Sequence, residues 1–192
     1  MARPREFDEA EVLDRALEVF WEKGYDGSSI EDIVHATGLG RASLYGAFGD
    51  KERIYRRVLD HYLARLARGV ADVRPDMTAA EQLRALFRGW VGATCPAQGP
   101  RGCFLLLAGT AGGDAPALKE TLDASLARTR ELLVPILRRG QAEGDVSRRS
   151  SAEDLAELLV VFLQGIAVSA RAGWSREKLD RVVDEAIASL GP

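Results

Sequence analysis

The feature that most constrains this chain is a series of helix starts, each followed by apolar residues at three- and four-residue steps. Asp8 with Glu11, Ser28 with Glu31 and Thr78 with Glu81 fit the capping-box pattern or a carboxylate variant of it. In that pattern side chains satisfy the first free N–H groups of a helix. Ser151 with Asp154 is a looser match. Behind the first start, Val12, Leu13, Ala16, Leu17 and Phe20 share one face, and the "KGY" at 23–25 stops the helix at Gly24. No period of two persists long enough to define a strand. The pattern predicts helices at roughly 8–23, 29–36, 41–47, 51–72, 79–94, 102–111, 115–143, 152–172 and 175–190. The expected fold is all-α, with about nine helices.

Breaks in the pattern suggest two parts. Pro75 and Asp76 interrupt it at "VRPDMT" (73–78), and the loops "CPAQGPRG" (95–102) and "GTAGGDAP" (109–116) are the other interruptions. We expect a compact three-helix domain at 1–50 and a larger helical domain at 51–192, with 51–72 as the connecting helix. A chain of 192 residues is long enough to bury a proper core. The amino terminus lacks the apolar stretch of a signal peptide. The longest charge-free apolar run, "LLVVFLQGIAVSA" (158–170), is too short to span a bilayer, so a cytoplasmic protein without membrane contact is expected. Cys95 and Cys103 are too few for a disulfide scaffold.

Within the first domain, "TGLGRASLYGAFGDK" (37–51) sets three glycines within ten residues, and a fourth just after, around a short helical pattern. Helix 29–36, a turn at 37–40 and helix 41–47 make a helix-turn-helix. Gly38 fits the left-handed position that ends the first helix, and Leu39 tucks into the turn. Ile30, Ile33 and Val34 face inward from the first helix, Leu44 and Phe48 from the second. The other face of the second helix carries Arg41, Ala42, Ser43, Tyr45, Gly46 and Ala47. A helix entering the DNA major groove suits this composition. Small residues let its backbone approach the bases, an arginine near its start pairs with guanine O6 and N7, and hydroxyls reach phosphates. Lys51 and the free N–H groups beside it offer a site for a flanking phosphate. Arg3 and Arg5 offer an arm for phosphate or the minor groove. A plainer reading also fits: two short helices joined by glycine, with Arg41 a solvated surface residue.

Charge opposes the DNA reading at first sight. The net charge is −3, and residues 1–58 carry 9 Lys or Arg against 12 Asp or Glu. Residues 33–49, however, contain one cation and no acid. Placement decides phosphate contact, because charges beyond about 10 Å are largely screened at physiological salt.

The segment "SSIEDIVHATGLGRASLYGAFGDKERIYRRVL" (28–59), extended back through "ALEVFWEKGYDGSSIEDI" (16–33), resembles the DNA-binding region of the tetracycline-repressor (TetR) family of bacterial transcription regulators. The resemblance covers about the first third of the chain; the rest matches in size and helical content. It implies that 41–47 is the recognition helix and that Arg41 touches bases. It also implies phosphate contacts from Ser43, Tyr45 and Lys51, with Ala42, Gly46 and Ser29 completing the DNA-binding set. Two positions depart from the family pattern. Gly40 stands where serine, threonine or alanine is more usual, and Gly46 where a larger residue usually supports DNA contact. Gly46 costs about 1 kcal/mol of helix stability relative to alanine, and base reading then leans on Arg41.

The second domain holds no catalytic constellation: no HExxH, CxxC, phosphate loop or GxSxG pattern, and only His35 and His61 as histidines. No enzyme activity, cofactor or metal is expected. The last two helices offer apolar surface for a second copy, through Leu155, Leu159, Phe162, Ile166, Val183 and Ile187. The same residues also suit an ordinary core, and it is the resemblance that implies a four-helix dimer interface. Phe87, Trp90, Cys103, Phe104, Leu107, Leu133 and Phe162 are candidates to line an apolar cavity for a small, mostly hydrophobic ligand. The resemblance implies a homodimeric regulator, more often repressor than activator, that binds a palindromic operator in double-stranded DNA and is released by that ligand. Two alternatives stand beside it. In one, Cys103, with Arg101 two residues away, senses oxidants or electrophiles, and Cys95 pairs with it if the loop folds back. In the other, the chain is a helical protein-interaction module without DNA affinity.

Overall fold

A computed structural model describes residues 7–69, 74, 76–96, 99, 101–110 and 116–192. The described residues form nine helices and no strand: α1 (Glu9–Gly27), α2 (Ile30–Thr37), α3 (Arg41–Phe48), α4 (Lys51–Gly69), α5 (Ala79–Thr94), α6 (Phe104–Thr110), α7 (Pro116–Glu143), α8 (Ala152–Arg171) and α9 (Arg176–Ala188). The all-α expectation and its nine helices hold among the described residues; most ends lie within two residues of those expected, while α1 runs four residues further, to Gly27, and α4 is described to Gly69 rather than 72. Arg3 and Arg5 lie outside the described residues, as do the proposed break at Pro75 and the glycines at 112 and 113.

The chain divides into two compact units, with the boundary between Arg65 and Leu66. It falls inside α4, so residues 51–65 of the connecting helix belong with the first unit. That unit is built on α1, whose Val12, Leu13, Ala16, Leu17, Phe20 and Trp21 are buried. Helical geometry in α1 breaks at Gly24, where the sequence places its stop. Aromatic side chains join α1 to α4: Phe20 meets Tyr55 edge-on at 4.8 Å and Trp21 meets Tyr62 at 5.4 Å. Burial pushes the Tyr55 phenol up to about 12. At the rim of the same contact Asp14 accepts from Arg65 Nη1 at 3.2 Å and lies 2.9 Å from His61 Nε2.

In the second unit, α5, α7, α8 and α9 share one core, with Leu83, Phe87, Val91, Leu133, Leu137, Leu159, Ile166, Val183 and Ile187 all nearly inaccessible. Thr78 caps α5 with Glu81 in a reciprocal box, and Ser151 caps α8 by accepting from the Asp154 N–H, both as the sequence predicts. Arg88 ties α5 to α9 through both oxygens of Asp184, at 2.9 Å each.

One expected cap is displaced. The start of α2 is capped by Ser29 and Asp32 rather than by Ser28 and Glu31. Ser28 is buried and its Oγ donates back to the Tyr25 carbonyl at 2.8 Å, which leaves the next hydroxyl to accept from the Asp32 N–H at 3.1 Å. Asp32 in turn accepts from the Ser29 N–H and from Lys23 Nζ, at 2.8 and 2.6 Å. These bonds, the one from Lys23 first, lower the Asp32 carboxyl from 3.8 to about 2. A group held below its ordinary value adds stability above that value and loses it as pH falls through the folded one. Asp32→Ala should therefore lower Tm by about 2–4 °C at neutral pH. The gap to the parent should narrow below about pH 4 and nearly close towards pH 2. Thermal unfolding followed by circular dichroism across that range checks this; a gap that stays constant contradicts it.

Candidate nucleic-acid interface

Eight residues make a marginal helix in isolation, so α3 depends on what holds it. Only Leu44 and Phe48 are buried, and they attach the helix to the first unit. The Phe48 ring lies 6.0 Å from that of Phe7, and the Arg57 guanidinium sits 5.2 Å above it. The turn before α3 is closed by Gly38 at φ 71°, ψ 5°, the left-handed geometry that glycine adopts without side-chain strain. Thr37 adds a buried hydroxyl that donates to the Ile33 carbonyl at 2.7 Å. Gly40 offers no side chain to cap α3, so the first N–H groups of the helix keep no side-chain partner from the preceding residue.

The rest of α3 faces outward. Arg41, Ala42, Ser43, Tyr45 and Gly46 are exposed, and Ala47 is half-buried. A Cβ placed on Gly46 would meet nothing within 4 Å, so the glycine clears space in front of the backbone and does not relieve a clash behind it. Arg41, the first residue of α3, donates from Nη1 to Glu31 Oε1 at 2.6 Å, and its guanidinium carbon lies 5.8 Å from the centre of the Tyr45 ring. Hydrogen bonding with Tyr45, and then the Glu31 charge, raises the arginine pKa above its already high ordinary value. The guanidinium is thus a fixed cation.

The neighbouring positions differ more from expectation. Ser29 is half-buried and spends its hydroxyl on the Asp32 cap, so it presents less to a phosphate than the sequence suggests. Lys51 Nζ sits 4.4 Å above the Tyr25 ring, which holds the ammonium group beside the start of α4. The α4 N–H groups are not all free, because Asp50 Oδ1 accepts from the Arg53 N–H at 2.9 Å. A carboxylate occupies part of the place assigned to a phosphate oxygen. Glu31, which the sequence pattern assigned to the α2 cap, instead pairs with Arg41; only the fold brings them together.

In the second unit, Phe87 meets Trp90 edge-on at 4.8 Å and Phe162 at 5.4 Å, and Leu133 belongs to the same buried cluster. Phe104 is also buried, while Leu107 and Cys103 are half-buried. Just before Cys95, the Thr94 carbonyl accepts from the Arg101 and Gly102 N–H groups at 2.9 and 3.1 Å. Cys95 is buried, and burial pushes its thiol pKa up. Of the six dimer candidates, Leu159, Ile166, Val183 and Ile187 are buried in the unit's own core, and Leu155 and Phe162 pack against it. The outward side of α8 carries other apolar residues, Leu158, Val161 and Val168, at 57, 64 and 62% exposure. Among the described residues no helix is long and apolar enough to cross a membrane, and no group of side chains could hold a metal ion.

Comparison with known proteins agrees with this geometry. Residues 12–58 match the model for bacterial regulatory proteins of the tetR family, and residues 79–186 match that for a tetracyclin repressor-like C-terminal domain. The chain is 33% identical over 183 residues to the transcriptional repressor ComR of Escherichia coli, covering 94% of this chain and 87% of ComR. It is 25% identical over 185 residues to the repressor DhaR of Mycobacterium, covering 94% and 91%. A solved structure of the TetR family regulator CifR, a cysteine mutant on 26-base-pair double-strand operator DNA, is 35% identical with a TM-score of 0.81. That likeness covers 98% of this chain and all of the other. The two family matches, the relatives' regulatory character and the exposed second helix of a helix-turn-helix make this chain a TetR-family transcriptional regulator, not an enzyme.

Proposed function

We propose that this chain is a repressor that binds a palindromic operator as a homodimer and is released by a small, mostly hydrophobic ligand. One observation carries the DNA-reading role: α3 is pinned by two side chains and presents Arg41, Ala42, Ser43, Tyr45 and Gly46 to solvent with its backbone uncovered. Arg41 pairs with a guanine, Ser43 and Tyr45 reach phosphates, and Lys51 neutralises a flanking one. The CifR complex with operator DNA supports this use of the fold. Arg41→Ala should lose roughly 1–3 kcal/mol of operator binding and relax the preference at one base pair per half-site. Fluorescence anisotropy with operator and random duplexes measures both; equal losses on the two DNAs would refute base reading.

The second copy packs on the outward side of α8. Leu158, Val161, Gly165 and Val168 follow one another at three- and four-residue steps, so they form one stripe. Three large apolar side chains exposed along one helix favour burial by a partner. A two-fold dimer would set two copies of α3 about one turn of DNA apart. Val161→Glu puts an unpaired charge into that contact and should weaken the dimer at least about a hundredfold. Sedimentation equilibrium reads this directly, and an unchanged dimer in the variant would rule out this face.

Release works through α4 in this reading. The boundary between the units falls within that helix. In this proposal a ligand that orders the Phe87–Trp90–Phe162 cluster tilts α4 and carries the DNA-reading unit with it. A second trigger, oxidation of Cys95 and Cys103, is supported by the bonds from the Arg101 and Gly102 N–H groups to the Thr94 carbonyl, each next to or near one of the cysteines in the chain. Peroxide would take two electrons from the two thiols, forming the S–S bond and two waters. Cys103→Ser should then keep operator binding and lose release by hydrogen peroxide. Normal release in that variant eliminates the cysteine trigger.

A further inference from the structure

The ion pair between Glu31 and Arg41 has little to do with holding the fold. Both side chains are about two-thirds exposed, at 67 and 62%, and exposed pairs contribute only about 0–1 kcal/mol. Its position matters more. Glu31 is the second residue of α2 and Arg41 the first of α3, so the 2.6 Å contact spans the helix-turn-helix turn. It sets a carboxylate beside the only cation in residues 33–49. Other acids around this surface have structural partners: Asp32 is taken by Ser29 and Lys23, and Asp50 by the Arg53 N–H. Glu31 is paired instead with the arginine assigned to the bases.

An exposed carboxylate is costly on a surface that meets phosphates, unless it meets a donor there. The guanidinium carries five N–H donors, more than its contacts with Glu31 and Tyr45 use, so donors remain for a base. In the major groove, guanine offers acceptors at O6 and N7, and its paired cytosine offers a donor at N4. The juxtaposed arginine and glutamate present the complement of that pattern: donors beside an acceptor.

We propose that Glu31 is a specificity-determining residue of this surface, which reads a G·C pair jointly with Arg41. Arg41 donates to guanine, and the Glu31 carboxylate accepts from the amino group of the same or the adjacent cytosine. On DNA lacking that amino group the carboxylate faces acceptor atoms and phosphates, and binding weakens. Glu31 also keeps the guanidinium from settling on any nearby phosphate. The inference rests on the DNA-reading role proposed for α3, and it assigns to an acid a task otherwise left to Arg41 alone.

The test uses the full-length protein and the duplex that it selects from a random-sequence pool. Binding of the parent, Glu31→Ala, Glu31→Gln, Arg41→Ala and the Glu31→Ala/Arg41→Ala double variant is measured at one salt concentration. The targets are that duplex, its single-base-pair variants and a random duplex. Glu31→Ala should bind the random duplex at least about threefold more tightly and lower the selected-to-random ratio about fivefold or more. It should relax the same base pair as Arg41→Ala, and it should have no further effect on that preference once Arg41 is gone. Glu31→Gln, equal in size, should tighten random-duplex binding likewise, because it removes the charge that repels phosphate. Unchanged ratios and base preferences in both Glu31 variants overturn the proposal. So does an effect of Glu31→Ala that is the same with and without Arg41. If the parent selects no sequence, the reading of α3 fails as well; a selective parent with indifferent Glu31 variants removes this inference alone.

Discussion

Everything at the DNA-facing end depends on two buried side chains, Leu44 and Phe48. An eight-residue helix with no side-chain cap, a glycine inside it and a polar outer face has little stability of its own. Burial of a leucine and a phenylalanine offsets this, at about 1.5–3 kcal/mol for each side chain. The Phe48 ring is itself held between Phe7 and the Arg57 guanidinium, and Arg57 is paired with Glu9 at the start of α1. The attachment uses only the inward side of α3. The outward side is left free for residues chosen by what they meet in a groove.

That division explains how an acidic chain can carry a nucleic-acid surface. The acids of the first unit are placed to hold it together. Asp8 caps α1, Asp32 caps α2, Asp50 bonds the first turn of α4, and Asp14 faces His61 and Arg65 between α1 and α4. Each carboxylate sits where a free N–H or a cation already waits, so its field is largely spent locally. Net charge is then a poor guide to this surface.

Much of this was legible in the sequence because helix starts, stops and apolar spacing are local signals. Thr78 with Glu81, Ser151 with Asp154, the break at Gly24 and the Gly38 turn all lie where the pattern puts them. The α2 cap was misplaced by one residue because Ser28 and Ser29 both precede an acid by three. Only the third dimension shows that the Ser28 hydroxyl is used by Tyr25. In α8 apolar residues occur nearly all round, so periodicity does not distinguish the stripe entering the core from the stripe leaving it. Leu159 and Ile166 turned inward, and Leu158, Val161 and Val168 outward. The Glu31–Arg41 contact joins two helices across a turn, beyond the reach of any spacing rule within one helix.

The central claim is that two copies of α3, fixed by their buried leucine and phenylalanine, read a symmetric DNA site. Selection of duplexes from a random pool by the purified protein, followed by sequencing and by the stoichiometry of the bound species, tests it most directly. The account predicts an inverted repeat with half-site centres about 10 base pairs apart, bound by paired chains. Enrichment of no sequence at low salt, or of a single asymmetric site bound by one chain, would contradict it.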